Sequence, residues 1–224
     1  MAKTNPDSLA AIVLCGGKSS RMGYDKSQLV FGDANQQSTF LSRIVSAINE
    51  NVEKVIVVCD ANHRQQPAGL PDDVIVTCDR TPDCGPLEGI AAGLAALPSE
   101  IESAFVTSCD VPGICADIIP LLAVQLGDHD AVIPVDDARV YGLTAIYRRR
   151  ILPKLDELIQ RGQLKVSEIP YHIRANQIPL DLMRTVDPKL DSLANINTLA
   201  DYRALAERIG FQIPDQVQER TSQE

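Results

Sequence analysis

Residues 11–17 read AIVLCGG, a continuous apolar run that ends in two glycines. A strand that is apolar on both faces is typical of a parallel sheet covered by helices on both sides. The glycines let the chain turn sharply after the strand, and they let backbone N–H groups approach phosphate oxygens without an intervening side chain. This stretch therefore predicts a buried strand that opens into an anion-binding turn.

Similar apolar runs recur along the chain and alternate with segments of helical periodicity. The strand-like runs cover 55–58, 74–76, 104–106 and 131–133, and the helix-like segments cover 38–48, 87–97, 117–126, 152–160 and 199–209. A weaker alternation over 140–147 predicts an added antiparallel strand in the C-terminal half. The pattern predicts one three-layer α/β domain with a mostly parallel sheet over residues 1–213, and a polar, frayed tail over 214–224.

Bulk composition restricts the kinds of function open to the chain. Its 224 residues are 45% hydrophobic and 23% charged, which is typical of a folded globular protein. The net charge of −9 does not favour a general binder of nucleic acids or of anionic membranes. Residues 1–8 lack the apolar core of a signal peptide, and no apolar run approaches the roughly 20 residues of a membrane span. We expect a soluble, cytoplasmic protein with no nucleic-acid or membrane partner.

Four apolar runs end in a cysteine, and an aspartate follows in three of them: LCG at 14–16, VCD at 58–60, TCD at 77–79 and SCD at 108–110. The carboxyl ends of parallel strands form the ligand crevice of an open sheet, so we expect Asp60, Asp79 and Asp110 to share one edge with the glycine turn. The cysteines should be small packing residues just beneath that edge. The six cysteines form no C-x-x-C pair, which argues against a zinc site.

The three aspartates have two interpretations. Each one alone could cap a helix or begin a turn. Carboxylates gathered near phosphates repel them, and they are tolerated when one holds a divalent cation and another accepts hydrogen bonds from a base or ribose. Asp110 is the candidate Mg²⁺ ligand, because the sequence CDVP at 109–112 places its carboxylate at an abrupt strand end.

The glycine turn is followed by Lys18, Arg21 and Lys26, which form a local basic patch in an acidic protein. Arginine can bind phosphate oxygens through its planar fork, and lysine acts as a compact charge. The spacing of the glycines matches neither G-x-x-x-x-G-K-[ST] nor G-x-G-x-x-G. By these rules the segment is either a phosphate-binding loop of another kind or a solvated basic turn.

Residues 14–26 read LCGGKSSRMGYDK, and this segment resembles the signature L-x-G-G-x-S-x-R-M-G-x-D-K of the molybdenum cofactor guanylyltransferases, the MobA-like nucleotidyltransferases. Further matches follow in the same order along the chain: Asp79, GPLEGI at 85–90, CDVP at 109–112 and NINT at 195–198. The resemblance extends roughly over residues 12–202. It implies a Rossmann-like α/β fold and an enzyme that transfers GMP from Mg·GTP to the terminal phosphate of molybdopterin carrying molybdenum.

The resemblance also implies roles for individual residues. Arg21, Lys26 and Asp110 would be catalytic, and Asp110 would be the Mg²⁺ ligand. Asn195 and Asn197 would lie on the acceptor side. The residues implied to bind the nucleotide are Leu14, Cys15, Gly16, Gly17, Lys26, Asp60, Asp79 and Asp110. Beyond GTP and molybdopterin, molybdoenzymes or their chaperones are the candidate partners.

Several positions depart from the family pattern. Cys15 replaces the usual Ala, Glu88 stands where GPLAG is commoner, and Val111 replaces a frequent Met. Asp60 stands where the family often has Asn, so an acceptor-only side chain replaces an amide. The segment VYGL at 140–143 matches the acceptor-binding region of the family only loosely.

The implied reaction is in-line attack by the acceptor phosphate on the α-phosphorus of GTP, with pyrophosphate as the leaving group. A phosphate nucleophile is already anionic near neutral pH, so His63, His129 and His172 are expected to be surface or structural residues.

Two further segments have two interpretations each. Residues 148–150 (RRR) could reach an anionic acceptor or simply begin a helix. Residues 85–89 could bind phosphate or pack closely on the sheet.

Three other functions are alternatives to this reaction. A related transferase could use CTP, or could act on a sugar phosphate or another alcohol. A non-catalytic module could bind nucleotide without turnover. A dinucleotide-dependent dehydrogenase is disfavoured, because the chain lacks the G-x-G-x-x-G turn.

Overall fold

The computed structural model describes residues 8–16, 30–31, 38–61 and 67–209. Gly17, Lys18, Arg21, Lys26, His63 and the tail at 214–224 lie outside these ranges, so the predictions about them stay predictions. The described strands are β1 (Leu9–Cys15), β2 (Val30–Phe31), β3 (Ser38–Thr39), β4 (Lys54–Cys59), β5 (Ile75–Cys78), β6 (Ser103–Ser108), β7 (Ala131–Val135), β8 (Ala145–Arg148) and β9 (Ala175–Pro179). The described α-helices are α1 (Phe40–Ile48), α2 (Gly85–Ala95), α3 (Ile118–Leu126), α4 (Leu152–Gln160), α5 (Leu180–Met183) and α6 (Leu199–Ile209).

Seven of these strands form one sheet in the order β5-β4-β1-β6-β8-β7-β9. β8 is antiparallel to both of its neighbours, and every other neighbouring pair is parallel. β2 and β3 pair separately as a short antiparallel ribbon. The chain belongs to the predicted class, a single α/β domain with a mostly parallel sheet and an antiparallel addition in its C-terminal half.

The side chains of β1 alternate between two cores. Leu9, Ala11 and Val13 are buried with apolar residues of α1 and α3 on one face of the sheet. Ala10, Ile12 and Leu14 are buried with residues of α2 and α4 on the other face. This alternation follows from the two-residue period of a strand, and it accounts for the continuous apolar run in the sequence.

Some element boundaries differ from the sequence predictions. The helix predicted from residue 38 begins at Phe40, because residues 38–39 pair with β2 and the Thr39 side chain accepts a hydrogen bond from the Ser42 N–H. The antiparallel strand predicted over 140–147 is β8, with only an isolated bridge between Val135 and Val140 before it. β9 was not predicted, because its sequence ANQIP places a single buried apolar residue, Ile178, in the strand.

The order of the strands reverses beside β1. From β1 the chain moves outward to β4 and β5, and it then returns across the sheet to form β6 on the other side of β1. In open α/β sheets a ligand crevice forms at the carboxyl ends of the strands where such a reversal occurs. The fold therefore places its ligand crevice at Cys15 and Gly16 on one side and at Asp110 on the other.

Helix α2 approaches β1 closely because two glycines face the strand. A Cβ atom on Gly93 would lie 2.6 Å from Ile12 Cγ2, and one on Gly89 would lie 3.0 Å from Leu14 Cδ2. Both distances are shorter than an ordinary van der Waals contact. The structure thus supports the helix-packing interpretation of Gly89.

We expect Gly93→Ala to lower the free energy of unfolding by about 1–2 kcal/mol, because overpacking against Ile12 outweighs the higher helix propensity of alanine. Gly89→Ala is the matched control within the same helix, and its smaller overlap predicts a smaller loss. Urea unfolding followed by circular dichroism measures both values. Equal or reversed losses would contradict this account of the α2 contact.

Candidate functional site

The strand register brings the cysteine–aspartate strand ends together. Cys15 is the register partner of Cys59, and Cys59 is the partner of Cys78. On the other side of β1, the Cys109 N–H donates to the Leu14 carbonyl at 2.9 Å. The residues that follow these cysteines are therefore at one edge of the sheet: Gly16, Asp60, Asp79 and Asp110.

The cysteines pack beneath this edge, as expected from the sequence. Cys59 is 4% exposed and belongs to the core between the sheet and helices α1 and α3. Cys15, Cys78 and Cys109 are half-buried against the same core. All six cysteines lie in the described part of the chain, and each keeps its thiol rather than forming a disulfide.

Gly16 allows the ends of β1 and β4 to approach each other. A Cβ atom on Gly16 would lie 3.2 Å from the backbone nitrogen of Asp60. Any larger residue would therefore push against the Asp60 backbone and disturb the edge. Leu14 is 6% exposed on the α2 side of β1, and Gly16 itself is exposed.

Asp110 connects the end of β6 to a distant segment of the chain. Its Oδ1 accepts a hydrogen bond from the Ser108 hydroxyl at 2.5 Å, and its Oδ2 accepts one from Asn195 Nδ2 at 3.3 Å. The Ile196 N–H also donates to the Asp110 carbonyl at 2.7 Å. The structure thus joins the predicted metal ligand to the predicted acceptor side.

Asn197 lies just before the first residue of α6, Leu199. Its N–H and that of Thr198 donate to the Asp201 carboxylate at 3.0 and 2.8 Å, and the Asp201 N–H donates to the Thr198 hydroxyl at 3.1 Å. This reciprocal pattern is a capping box, which fixes the start of the helix. The Asn195 and Asn197 side chains are both exposed on a segment that is held at its two ends.

A buried carboxylate that sequence reasoning did not place lies beside Asp79. Glu88 is 1% exposed and accepts hydrogen bonds from the backbone N–H groups of Arg80 and Thr81 at 2.9 and 3.3 Å. The Arg80 guanidinium also binds both oxygens of Glu88, at 2.9 and 3.1 Å, and reaches Asp156 Oδ1 at 2.7 Å. These donors satisfy the buried charge and fasten the segment after β5 to α2.

Asp79 lies between two other carboxylates. Its partial burial, with the negative charges of Glu88 and Asp60 nearby, raises its pKa to about 6. A carboxyl group in such a position loses its proton less readily than an ordinary aspartate. Burial and the two neighbouring carboxylates therefore make ionisation of Asp79 less favourable than that of an exposed aspartate.

A cleft of about 390 Å³ opens next to Ser108 and Val111, close to Asp110. Its wall contains Asn195, Asn197 and Leu193 from the C-terminal part of the chain. The opposite wall is the connection between β7 and β8, which contributes residues 139–144. The family resemblance placed the two asparagines on the acceptor side, and it matched residues 140–143 of this connection only loosely to the acceptor-binding region.

Residues 148–150 lie away from this cleft. Arg148 donates to the carbonyls of His129 and Gly127 at 2.9 and 2.6 Å, and Arg150 binds Asp130 Oδ1 at 2.6 Å. Since β8 is antiparallel, its end lies at the sheet edge opposite Asp110. The structure therefore supports a local, structural role for these arginines rather than contact with the acceptor.

Comparisons with known proteins identify the class of the chain. The model of the MobA-like NTP transferase domain matches residues 11–174. A probable molybdenum cofactor guanylyltransferase of Methanosarcina mazei is 33% identical over 201 residues, which cover 86% of this chain and 87% of the relative. A protein of the same description from Mycobacterium marinum is 32% identical, covering 88% and 92% of the two chains.

Solved structures share the fold. The molybdopterin-guanine dinucleotide biosynthesis protein A of Archaeoglobus fulgidus superposes with a TM-score of 0.73 at 21% identity, covering 90% of this chain and 98% of that one. The protein is thus an α/β nucleotidyltransferase. The chain belongs to the MobA-like NTP transferase family. Within the described residues, no helix is long and apolar enough to cross a membrane.

The raised pKa of Asp79 predicts a pH-dependent effect on stability. The folded protein holds the pKa near 6, and the ordinary value is 3.8, so ionisation of Asp79 costs folding free energy as pH rises through this window. We expect Asp79→Asn to raise the free energy of unfolding by about 1 kcal/mol at pH 7.5, solvent screening included. The gain should shrink towards zero as pH falls to about 4.

Urea unfolding at a series of pH values measures this effect. Asp72→Asn, which removes one negative charge from an exposed turn, is the control for the change in net charge. A gain that is constant across the pH range would show that Asp79 is not the group responsible.

Proposed function

We propose that the protein transfers GMP from Mg·GTP to the terminal phosphate of molybdopterin carrying molybdenum. The products are the guanine dinucleotide cofactor and pyrophosphate. The observation that carries the proposal is the hydrogen bond between Asp110 and Asn195, which joins the nucleotide-side edge of the sheet to the cleft. Family membership and the names of the relatives support the same reaction.

The donor nucleotide would occupy the edge formed by Leu14, Cys15 and Gly16, with Asp60 and Asp79 beside it. Guanine presents two adjacent N–H donor groups on its Watson–Crick edge, and ionised carboxylates only accept hydrogen bonds. Asp60, which stands where the family often has asparagine, would accept hydrogen bonds from this edge of guanine. Gly17, Arg21 and Lys26 would bind the phosphates; they lie outside the described residues.

Asp110 would hold Mg²⁺ together with the phosphates of the nucleotide. Mg²⁺ in nucleotide enzymes is commonly bound by one or two carboxylates and by substrate phosphates, so a single strand-end aspartate suits it. In the described part of the chain, no group of three or more His, Cys, Asp and Glu residues is arranged to hold a metal by itself. When bound, the ion supplies positive charge that offsets the charge of the triphosphate.

The other described residues of the proposed site would position the reacting groups. Ser108 and Asn195 hold the two oxygens of Asp110 in place. Asn195 and Asn197 face the cleft, where they would orient the acceptor phosphate for in-line attack on the α-phosphorus. Because the attacking phosphate is already anionic near neutral pH, the reaction needs no histidine as a general base.

The test is incubation of the purified protein with Mg·GTP and molybdopterin carrying molybdenum, followed by detection of the guanine dinucleotide and pyrophosphate. Parallel reactions with CTP and ATP should give much less product. Preferred use of CTP would indicate a related cytidylyltransferase. Binding of GTP with no pyrophosphate release, beside an active family member as a positive control, would indicate a non-catalytic module.

Asp110→Asn tests the role of the strand-end carboxylate. The substitution keeps the shape of the side chain and removes its charge, so we expect turnover at saturating Mg²⁺ to fall at least about 100-fold. The circular dichroism spectrum and the urea midpoint should change little. The matched control is Asp128→Asn, at an exposed turn before β7 on the opposite edge of the sheet. Near-normal turnover of Asp110→Asn would show that Asp110 does not have this role.

A further inference from the structure

The described lining of the cleft beside Asp110 is mostly uncharged and includes one arginine. Its lining contains apolar side chains such as Val140, Leu143 and Val166, together with the amides of Asn195 and Asn197. Among the described residues that line it, Arg139 is the one that carries a formal charge. The Arg139 guanidinium is therefore the group of this lining that suits an anionic occupant.

Arg139 lies on a connection whose backbone is held at both ends. At the start, Asp136 Oδ1 accepts hydrogen bonds from the N–H groups of Ala138 and Arg139, each at 2.8 Å. At the other end, the hydroxyl of the buried Tyr147 donates to the Gly142 carbonyl at 2.8 Å. A Cβ atom on Gly142 would lie 2.4 Å from Val166 Cγ1, so the connection fits closely against its neighbour.

The side chain of Arg139 is also oriented. Its guanidinium carbon lies 5.7 Å from the centre of the Tyr141 ring, which is a cation–π contact. The Tyr141 hydroxyl donates to Asp136 Oδ2 at 2.7 Å, and this hydrogen bond lowers the pKa of Asp136 and raises that of Tyr141. Asp136 therefore fixes the ring, and the ring supports the guanidinium.

Arg139 follows a strand that is not adjacent to β6. It follows β7, and β7 is two strand positions from β6, which corresponds to about 10 Å across the sheet. Both strands point towards the same edge, where Asp110 follows β6. A group bound by Arg139 would therefore belong to a part of the acceptor remote from the phosphate that reacts.

We propose that Arg139 is an acceptor-specificity residue that binds a second anionic group of the acceptor, with Tyr141 and Asp136 as its positioning residues. The proposal rests on the proposed function for the identity of the acceptor. It explains why a rigid connection in an acidic protein presents one arginine to a cleft that is otherwise neutral along its described lining.

Arg139→Gln tests the proposal by two measurements. The KM for molybdopterin carrying molybdenum should rise about tenfold, whereas kcat and the KM for GTP should change less than twofold. Equilibrium dialysis of the same acceptor without GTP should show an equal loss of affinity. Arg161→Gln, which removes an exposed arginine paired with Glu157 on α4, is the matched control for net charge.

Ionic strength separates a charge contact from a structural role. Acceptor affinity of the unaltered protein should weaken as salt rises, and that of Arg139→Gln should depend much less on salt. Tyr141→Phe keeps the ring but loses the bond to Asp136, so it should raise the acceptor KM by a smaller factor.

Equilibrium dialysis keeps this proposal separate from the proposed reaction. If the protein forms no dinucleotide but its acceptor affinity still falls tenfold in Arg139→Gln, the proposed reaction fails and the role of Arg139 stands. If Arg139→Gln binds the acceptor as tightly as the unaltered protein, with the same salt dependence, the role of Arg139 is overturned even where GMP transfer proceeds.

Discussion

The in-register parallel pairing of β1 with β4 on one side and β6 on the other is the constraint on which the rest of the site depends. Because the strands stop at the same level, Gly16, Asp60 and Asp110 meet at one edge although they are far apart in the sequence. Burial of both faces of β1 stabilises this pairing. One face packs under α1 and α3, and the other packs under α2 and α4. A shift of one residue would exchange the two faces and move the strand ends apart.

This pairing also concentrates negative charge, and the fold treats each carboxylate differently. Glu88 is neutralised by Arg80 and by backbone donors, so its burial is compensated within the protein. Asp110 accepts hydrogen bonds from the uncharged side chains of Ser108 and Asn195. Asp79 is left with a raised pKa between two other carboxylates. The three strand-end aspartates thus share one edge of the sheet, and the neighbouring Glu88 has its own donors.

The sequence predicted the strands of the site and the aspartates that follow them. The apolar runs predicted β1, β4 and β6 because burial on both faces leaves a local signal, and the aspartates after them followed from strand direction. The pairing of Asp110 with Asn195 joins segments 85 positions apart, so no local pattern reveals it, and only family resemblance named the asparagine. β9 was missed because Ile178 is its single buried apolar residue, and the Arg80–Glu88 contact was missed because a polar contact leaves no periodicity in the sequence. The roles of Arg21 and Lys26 remain predictions.

The direction of the antiparallel strand β8 explains why the connection between β7 and β8 forms a wall of the cleft. A parallel strand after β7 would require a crossover that carries the chain back to the opposite edge before the next strand begins. Because β8 runs in the reverse direction, residues 136–144 connect β7 and β8 directly at the edge that carries Asp110. That short connection can then be fixed by Asp136 and Tyr147 without a helix of its own. The change of strand direction thus divides the edge into a parallel half, which carries Gly16, Asp60 and Asp110, and a mixed half, which carries the second wall of the cleft.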